Sequence, residues 1–176
     1  MPLASLLDFW QRDAATAPNL VAWRTLPSRP AQTHPIPDDL AAPVQQALIA
    51  AGIHSLYSHQ LEAWIHARAG ENVILSTGTA SGKTLAYNLP VFASLLQDSN
   101  ARALYLFPTK ALAQDQFSNL QSLTSNLILS RTAEPDTSNL APSIYDGDTP
   151  QSARSSIRKT ARIVLSNPDM LHTGIL

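Results

Sequence analysis

Asn72-Val73-Ile74-Leu75-Ser76-Thr77-Gly78-Thr79-Ala80-Ser81-Gly82-Lys83-Thr84 is the stretch on which the architecture turns. An apolar run and a Gly/Ser/Thr loop end in Lys-Thr. Leu85, Leu89 and Phe92 then recur at helical spacing. Strand, glycine-bearing loop, Lys-Thr and helix, in that order, make a phosphate-binding loop. Loop N–H groups and a helix N-terminus converge on an anion there. Lys83 adds a mobile positive charge, and Thr84 offers a hydroxyl to the magnesium ion that accompanies a nucleoside triphosphate. The general pattern has glycine at position 77, where this chain has Thr77. The alternative is a Gly/Ser-rich turn with a chance Lys-Thr; the flanking strand and helix favour the phosphate loop.

Further apolar runs alternate with helical spacing on either side. Upstream, Val44, Ala47, Leu48 and Ala51 predict a helix stopped by Gly52. Ser58 is the expected N-cap of a second helix carrying Leu61, Trp64, Ile65 and Arg68 and stopped by Gly70. Downstream, residues 102–107, 143–145 and 162–166 read as strands. With 72–76 they are expected to form one parallel sheet with right-handed crossovers. A helix is expected from Thr109 through Leu123, a second from a Thr149 cap to Lys159, and a third from an Asn167 cap through His172. The polar stretch from Ser130 to Pro142 reads as a surface loop. The expected class is α/β, a parallel sheet flanked by helices. Ligands bind such sheets at the carboxyl ends of strands. The loops 76–83, 107–110, 145–149 and 165–169 all lie at such ends.

Residues 1–37 read as an irregular N-terminal segment, broken by Pro2, Pro18, Pro27, Pro30, Pro35 and Pro37. Within it Leu3 to Arg12 is a candidate short helix and Val21 to Leu26 a candidate edge strand. Residues 38–176 form the regular part.

Composition bounds the rest. A chain of 176 residues, 44% hydrophobic and 14% charged, can bury a sizeable core. It has no apolar run long enough for a membrane span and no secretory leader pattern, so a cytoplasmic protein without membrane partners is expected. With no cysteine, disulfides and thiolate metal sites are excluded from these residues. The net charge of −1 does not advertise a nucleic-acid binder, so any groove must be built from a few local cations. Arg154, Arg158, Lys159 and Arg162 form one candidate patch or a solvated face. His54, His59 and His66 lack a carboxylate at ligand spacing, and Trp10, Trp23 and Trp64 read as packing residues.

Taken in order, several segments carry a resemblance. Gly52-Ile53-His54-Ser55-Leu56-Tyr57-Ser58-His59-Gln60 resembles the glutamine motif of superfamily-two DEAD/DEAH-box helicases, and residues 77–84 resemble motif I. Phe107-Pro108-Thr109-Lys110-Ala111-Leu112-Ala113-Gln114-Asp115-Gln116 resembles motif Ia. Tyr145-Asp146-Gly147-Asp148-Thr149-Pro150 and Ser166-Asn167-Pro168-Asp169-Met170-Leu171 resemble the nucleic-acid-contacting motifs that follow. The wording of residues 77–90 is most like the bacterial mitomycin-repair helicase branch.

The resemblance implies a RecA-like P-loop domain, incomplete at its C-terminus, from an ATP-dependent DNA helicase that acts in repair. It implies ATP and Mg2+ as cofactors and single-stranded DNA and the remainder of the helicase as partners. Thr77, Gly78, Thr79, Ala80, Ser81, Gly82, Lys83 and Thr84 would hold the phosphates, with Lys83 and Thr84 catalytic and Thr84 on the metal. Gln60 would read the adenine edge, since a carboxamide donates and accepts at once. Pro108, Thr109, Lys110, Gly147, Asp148, Asn167 and Asp169 would meet nucleic acid. The family's Asp-Glu box is expected after Leu176, so the 176 residues are expected to be inactive alone. Many helicases of the class have glycine in place of Ala80, which implies a right-handed backbone there. No aromatic precedes Gly52 near His34 and Pro35 to stack on adenine. Two other readings stay open: a different P-loop NTPase, and a non-catalytic remnant that keeps nucleotide or nucleic-acid affinity.

Overall fold

A computed structural model describes residues 2–27, 30–79, 81–129 and 140–174. Ala80, and residues 130–139 of the expected surface loop, lie outside the described residues. The chain divides into two units, Met1–Ala31 and Gln32–Leu176.

In the first unit α1 spans Leu3–Arg12, and a single 3-10 turn spans Ala17–Asn19. Between them the Asp13 carboxylate accepts from the backbone N–H and the hydroxyl of Thr16, at 2.9 and 2.8 Å. The edge strand expected at Val21 to Leu26 is absent: those residues form no ladder, and Val21 and Leu26 are almost fully exposed. β-propensity without a partner strand does not make a strand. Trp10 and Trp23 are exposed rather than packed; Trp64, in the second unit, is buried.

The second unit opens with a small antiparallel pair, β1 (Thr33–Pro35) and β2 (Ser55–Tyr57), joined through α2 (Ala42–Ala50). Gly52 ends α2 at φ 76°, the left-handed conformation that a C-terminal stop requires. Helix α3 spans Ser58–Arg68, and Gly70 closes it in the same way at φ 75°. Ser58, expected from the sequence to be its cap, is instead its first residue. Tyr57 holds the cap position, and the Gln60 Oε1 accepts the Tyr57 backbone N–H at 2.8 Å. The side chain at the third helical position thus reaches back to the cap, as in half of a capping box.

After the phosphate loop come α4 (Lys83–Gln97), β3 (Ala103–Leu106), α5 (Lys110–Leu129), β4 (Pro142–Ile144), α6 (Gln151–Thr160), β5 (Ile163–Ser166) and α7 (Pro168–Gly174). The sheet is parallel in the order β3-β5-β4. The chain therefore goes from β3 to the far edge and returns through α6 to insert β5 in the middle. Alternate residues face opposite sides. Tyr105, Ile163 and Leu165 are buried in one core with Leu89, Phe92, Leu120, Leu127 and Leu140. Leu104 and Val164, on the other side, line an apolar recess of about 200 Å³ with Ile157 and Ala161.

The strand expected at 72–76 is not in this sheet. Asn72 to Ser76 carry no strand pairing among the described residues, and Ile74 is 94% exposed. A parallel strand exists only through its neighbours, and β3, the open edge, does not take this segment as one. Instead, β3 and α4 enclose an open groove of about 480 Å³ lined by Tyr87, Val91, Leu95 and Tyr105. Leu104 and Leu106 stand on that edge at 50% and 43% exposure. Unpaired edges with apolar side chains template association. The purified 176-residue chain is expected to self-associate at micromolar concentration, and Leu106→Lys to reduce it. Light scattering that shows a monodisperse monomer would remove this expectation.

Two arginines tie the helices to the sheet. Arg162, buried, donates to the carbonyls of Leu95 and Asp98 at the end of α4 and of Ala101 in the connection to β3. Arg102 donates to the carbonyls of Arg158 and Lys159 at the end of α6, at 2.8 and 2.5 Å. A cation at a helix C-terminus meets unpaired carbonyls and the negative end of the dipole. Arg162 therefore leaves the basic patch suggested for residues 154–162. Between α4 and β3, the buried Tyr105 hydroxyl donates to Asn88 Oδ1 at 2.9 Å. Burial holds the Tyr105 phenol well above its ordinary pKa, with Tyr87 adding to the effect.

Candidate nucleotide and nucleic-acid site

The phosphate loop enters α4 through Gly82, whose φ of 78° is left-handed. A Cβ there would lie 2.5 Å from Gln60 Nε2, so only glycine lets α3 approach. In that space the Gln60 amide donates to the Gly82 carbonyl at 2.9 Å. Gln60 is 3% exposed and joins the α3 N-terminus to the head of α4. Residues far apart in sequence, read separately as a base reader and a phosphate cradle, thus form one unit.

Lys83 folds back over its own loop. Its Nζ donates to the carbonyls of Thr77 and Gly78 at 2.8 and 2.5 Å and approaches the hydroxyls of Thr77 and Ser81 at 3.3 and 3.4 Å. Those two hydroxyls also bond each other at 2.7 Å. Thr77, the departure from the general pattern, is therefore part of the loop's hydrogen bonding. Among the described residues the ammonium meets neutral oxygens, so an incoming anion competes with carbonyls and hydroxyls rather than with a carboxylate. Thr79 is exposed, and Thr84 is half-buried in the first turn of α4.

Sequence reading missed Tyr57. It is 43% exposed, and its Cδ2 lies 3.7 Å from where a Gly82 Cβ would stand. Its ring stacks on His59, with centroids 5.8 Å apart and planes at 11°. The available signal was an aromatic three residues before Gln60, beside the helix start.

The second cluster sits at the carboxyl ends of β3, β4 and β5. Thr109 caps α5, its Oγ1 accepting the Leu112 N–H at 3.3 Å. Asn167, buried, caps α7 through Oδ1 and the Met170 N–H at 2.9 Å. Thr149 does not cap α6 through its side chain. Its hydroxyl accepts the Asp146 N–H and lies within bonding distance of the Ile144 carbonyl and Asp146 Oδ1, closing the loop before the helix. Asp146 Oδ1 also accepts from the backbone of Asp148 and Thr149. From the other side Arg154 donates to the carbonyls of Thr149, Asp146 and Gly147 and lies over the Tyr145 ring. Ser166 Oγ donates to the Tyr145 carbonyl at 2.6 Å, joining the ends of β5 and β4. Lys110 Nζ bridges the first loop to the second, 2.7 Å from Asp148 Oδ2. Its pKa is raised by the hydrogen bond to Asp148, with the charges of Asp148 and Asp146 adding. Pro108, Gly147 and Asp169 are exposed on the same loops. Among the described residues no His/Asp/Glu cluster is suited to a metal ion.

A phosphate loop opening a helix, beside a parallel sheet whose carboxyl-end loops carry polar and basic residues, defines a RecA-like helicase domain. The chain belongs to the DEAD/DEAH box helicase family, whose model matches residues 57–176. It is 44% identical over 158 residues to the uncharacterized ATP-dependent helicase YprA of Bacillus subtilis, covering 90% of this chain and 20% of that protein. It is 41% identical over 152 residues to the ATP-dependent helicase HRQ1 of Saccharomyces cerevisiae, covering 86% and 13%. The crystal structure of the DUF1998 helicase MrfA bound to DNA and AMPPNP superposes with a TM-score of 0.83 at 40% identity, covering 99% of this chain and 23% of that one. The chain thus spans between about an eighth and a quarter of the length of these relatives.

Proposed function

We propose that this chain is the ATP-binding first part of a motor domain from an ATP-dependent DNA helicase that acts in repair. The observation that supports the reading is the Gln60–Gly82 hydrogen bond, which ties the N-terminus of α3 to the phosphate loop. The relatives are ATP-dependent helicases, and the MrfA structure that superposes on nearly the whole chain holds DNA and an ATP analogue. Its partners are single-stranded DNA and the remaining motor. The cytoplasm is its proposed setting. Among the described residues no helix is long and apolar enough to cross a membrane.

The residues fit magnesium-ATP, which when bound supplies the phosphoanhydride whose cleavage drives such motors. The loop N–H groups from Gly78 to Gly82 would hold the phosphate oxygens. Lys83 would hold the phosphates, and Thr84 would hold the metal. Gln60 would have its second amide hydrogen and its second oxygen lone pair for the base edge, and Tyr57 would provide an aromatic face beside it. On the sheet rim Pro108, Thr109, Lys110, Gly147, Asp148, Asn167 and Asp169 form the surface along which a strand lies. Thr109 and Asn167 shape the turns, and Lys110 supplies charge.

Calorimetric titration tests the reading. ATP is expected to bind in preference to GTP. Gln60→Ala narrows that preference about 2- to 10-fold, the worth of one hydrogen bond at roughly 0.5–1.5 kcal/mol. Tyr57→Ala weakens ATP and GTP alike, by about 5- to 100-fold if the base stacks at ~1–3 kcal/mol. Equal binding of both nucleotides by every variant would sink the assignment. The 176 residues contain no Asp-Glu pair. An arginine finger alone is worth about 10³–10⁵ in rate. Phosphate release by this chain is therefore expected to stay at background with single-stranded DNA present. DNA-stimulated turnover would refute the half-motor reading, and no nucleotide binding at all would favour a remnant.

A further inference from the structure

The loop between β4 and α6 carries two carboxylates with different employment. Asp146 is engaged inward, accepting from the N–H groups of Asp148 and Thr149. Asp148 points out, its side chain 78% exposed, and meets Lys110 Nζ at 2.7 Å. Lys110 reaches it across Gly147, where an added Cβ would lie 3.5 Å from the ammonium. Arg154 fixes the loop from behind through three carbonyls, so Asp148 is presented on a braced turn. Lys110 is one of only three lysines in a chain of net charge −1. Half-exposed and on the rim, it is the cation best placed there for a nucleic-acid phosphate.

We propose that Asp148 acts as a built-in competitor for that phosphate. It holds the Lys110 ammonium in a carboxylate contact that an incoming strand must displace. This rests on the reading of the rim as a nucleic-acid surface. Asp148 is then a positioning residue that lowers resting affinity and resists salt-driven, indiscriminate binding. In an unoccupied cation, contact with phosphate releases a counterion and steepens the salt dependence. A lysine already neutralised by Asp148 exchanges one anion for another and releases little.

The test uses fluorescence anisotropy with a labelled 20-nucleotide oligothymidylate between about 50 and 200 mM KCl. Wild type, Asp148→Asn, Lys110→Ala and the double variant are compared. Asp148→Asn is expected to bind about 2- to 5-fold more tightly, from removal of an exposed ion pair's competition. Its salt slope should rise by up to about one ion. Lys110→Ala should cost more in the Asp148→Asn background than in wild type, because the lysine there contributes its full phosphate contact. A smaller cost in that background would mean that Asp148 orients the lysine productively, and an equal cost that the two act independently. Either result overturns the competitor role while leaving the nucleic-acid surface standing. If Lys110→Ala has no effect in either background, the rim does not meet nucleic acid through Lys110, and the underlying reading fails at this loop. Both substituted side chains are at least half exposed, so unchanged thermal melting is expected and separates binding effects from unfolding.

Discussion

Lys83→Ala is expected to weaken ATP binding by about 10- to 100-fold, reducing it to the background of the calorimeter. The lysine is the only cation among the residues of the phosphate loop, 77–84. Its hydrogen bonds run to Thr77 and Gly78 carbonyls on a half-exposed turn, where water satisfies those oxygens if the ammonium is removed. The fold should therefore survive, and the loss should fall on the ligand. A hydrogen bond to a charged group is worth about 1.5–3 kcal/mol, and each 1.4 kcal/mol is tenfold in affinity. Lys83→Arg retains charge but brings a planar fork in place of a compact ammonium, and should recover little. ATP affinity unchanged in Lys83→Ala, with an unchanged melting curve, would show that the loop is an ordinary turn.

The second large effect belongs to a residue outside the proposed binding surfaces. Arg162→Ala is expected to destabilise the second unit by about 3 kcal/mol or more, counted from charge-assisted hydrogen bonds at ~1.5–3 kcal/mol each. Arg162 is 8% exposed, and its partners are the carbonyls of Leu95 and Asp98 at the C-terminal end of α4 and of Ala101 just beyond it. For a chain of this size that loss lowers the melting temperature by roughly 6–12 °C. Arg162→Lys, which keeps the charge but not the fork, should fall between. Oligonucleotide binding by the folded fraction should be unaffected. Weakened binding at unchanged stability would return Arg162 to the basic patch.

These residues mark what was legible beforehand. The phosphate loop, the strands expected at 102–107, 143–145 and 162–166 and found within a residue of those bounds, and the Asn167 cap could be read because each depends on near neighbours. A Gly in αL, a hydroxyl or amide three residues before an N–H, and a buried apolar run are local signals. The pairing of 72–76 could not be read, because a strand's partner is set by the whole sheet. Arg162 looked like a surface cation because its helical neighbours are basic; its acceptors lie more than 60 positions upstream. Tyr57 was overlooked for a related reason. Its significance comes from Gly82, which only the folded chain brings beside it. Likewise, Lys110 and Asp148 were each assigned to nucleic acid, and their attachment to each other emerges only where two loops meet.

The insertion of β5 between β3 and β4 has a consequence for the way the protein is made. The central strand is the last of the three to be synthesised, its partners Ala103 and Ile163 being separated by about 60 residues. At roughly 5–20 residues per second, the ribosome leaves β3 without its partner for on the order of 3–12 s. During that time neither β3 nor β4 can complete a ladder, and Tyr105, Leu106 and Ile144 wait beside empty positions. Hairpins can zip in microseconds as they emerge, but this sheet must wait for its keystone. Slow codons or a stalled ribosome between residues 107 and 162 would prolong a state with two half-sheets and no middle, the stage at which chaperone protection matters most.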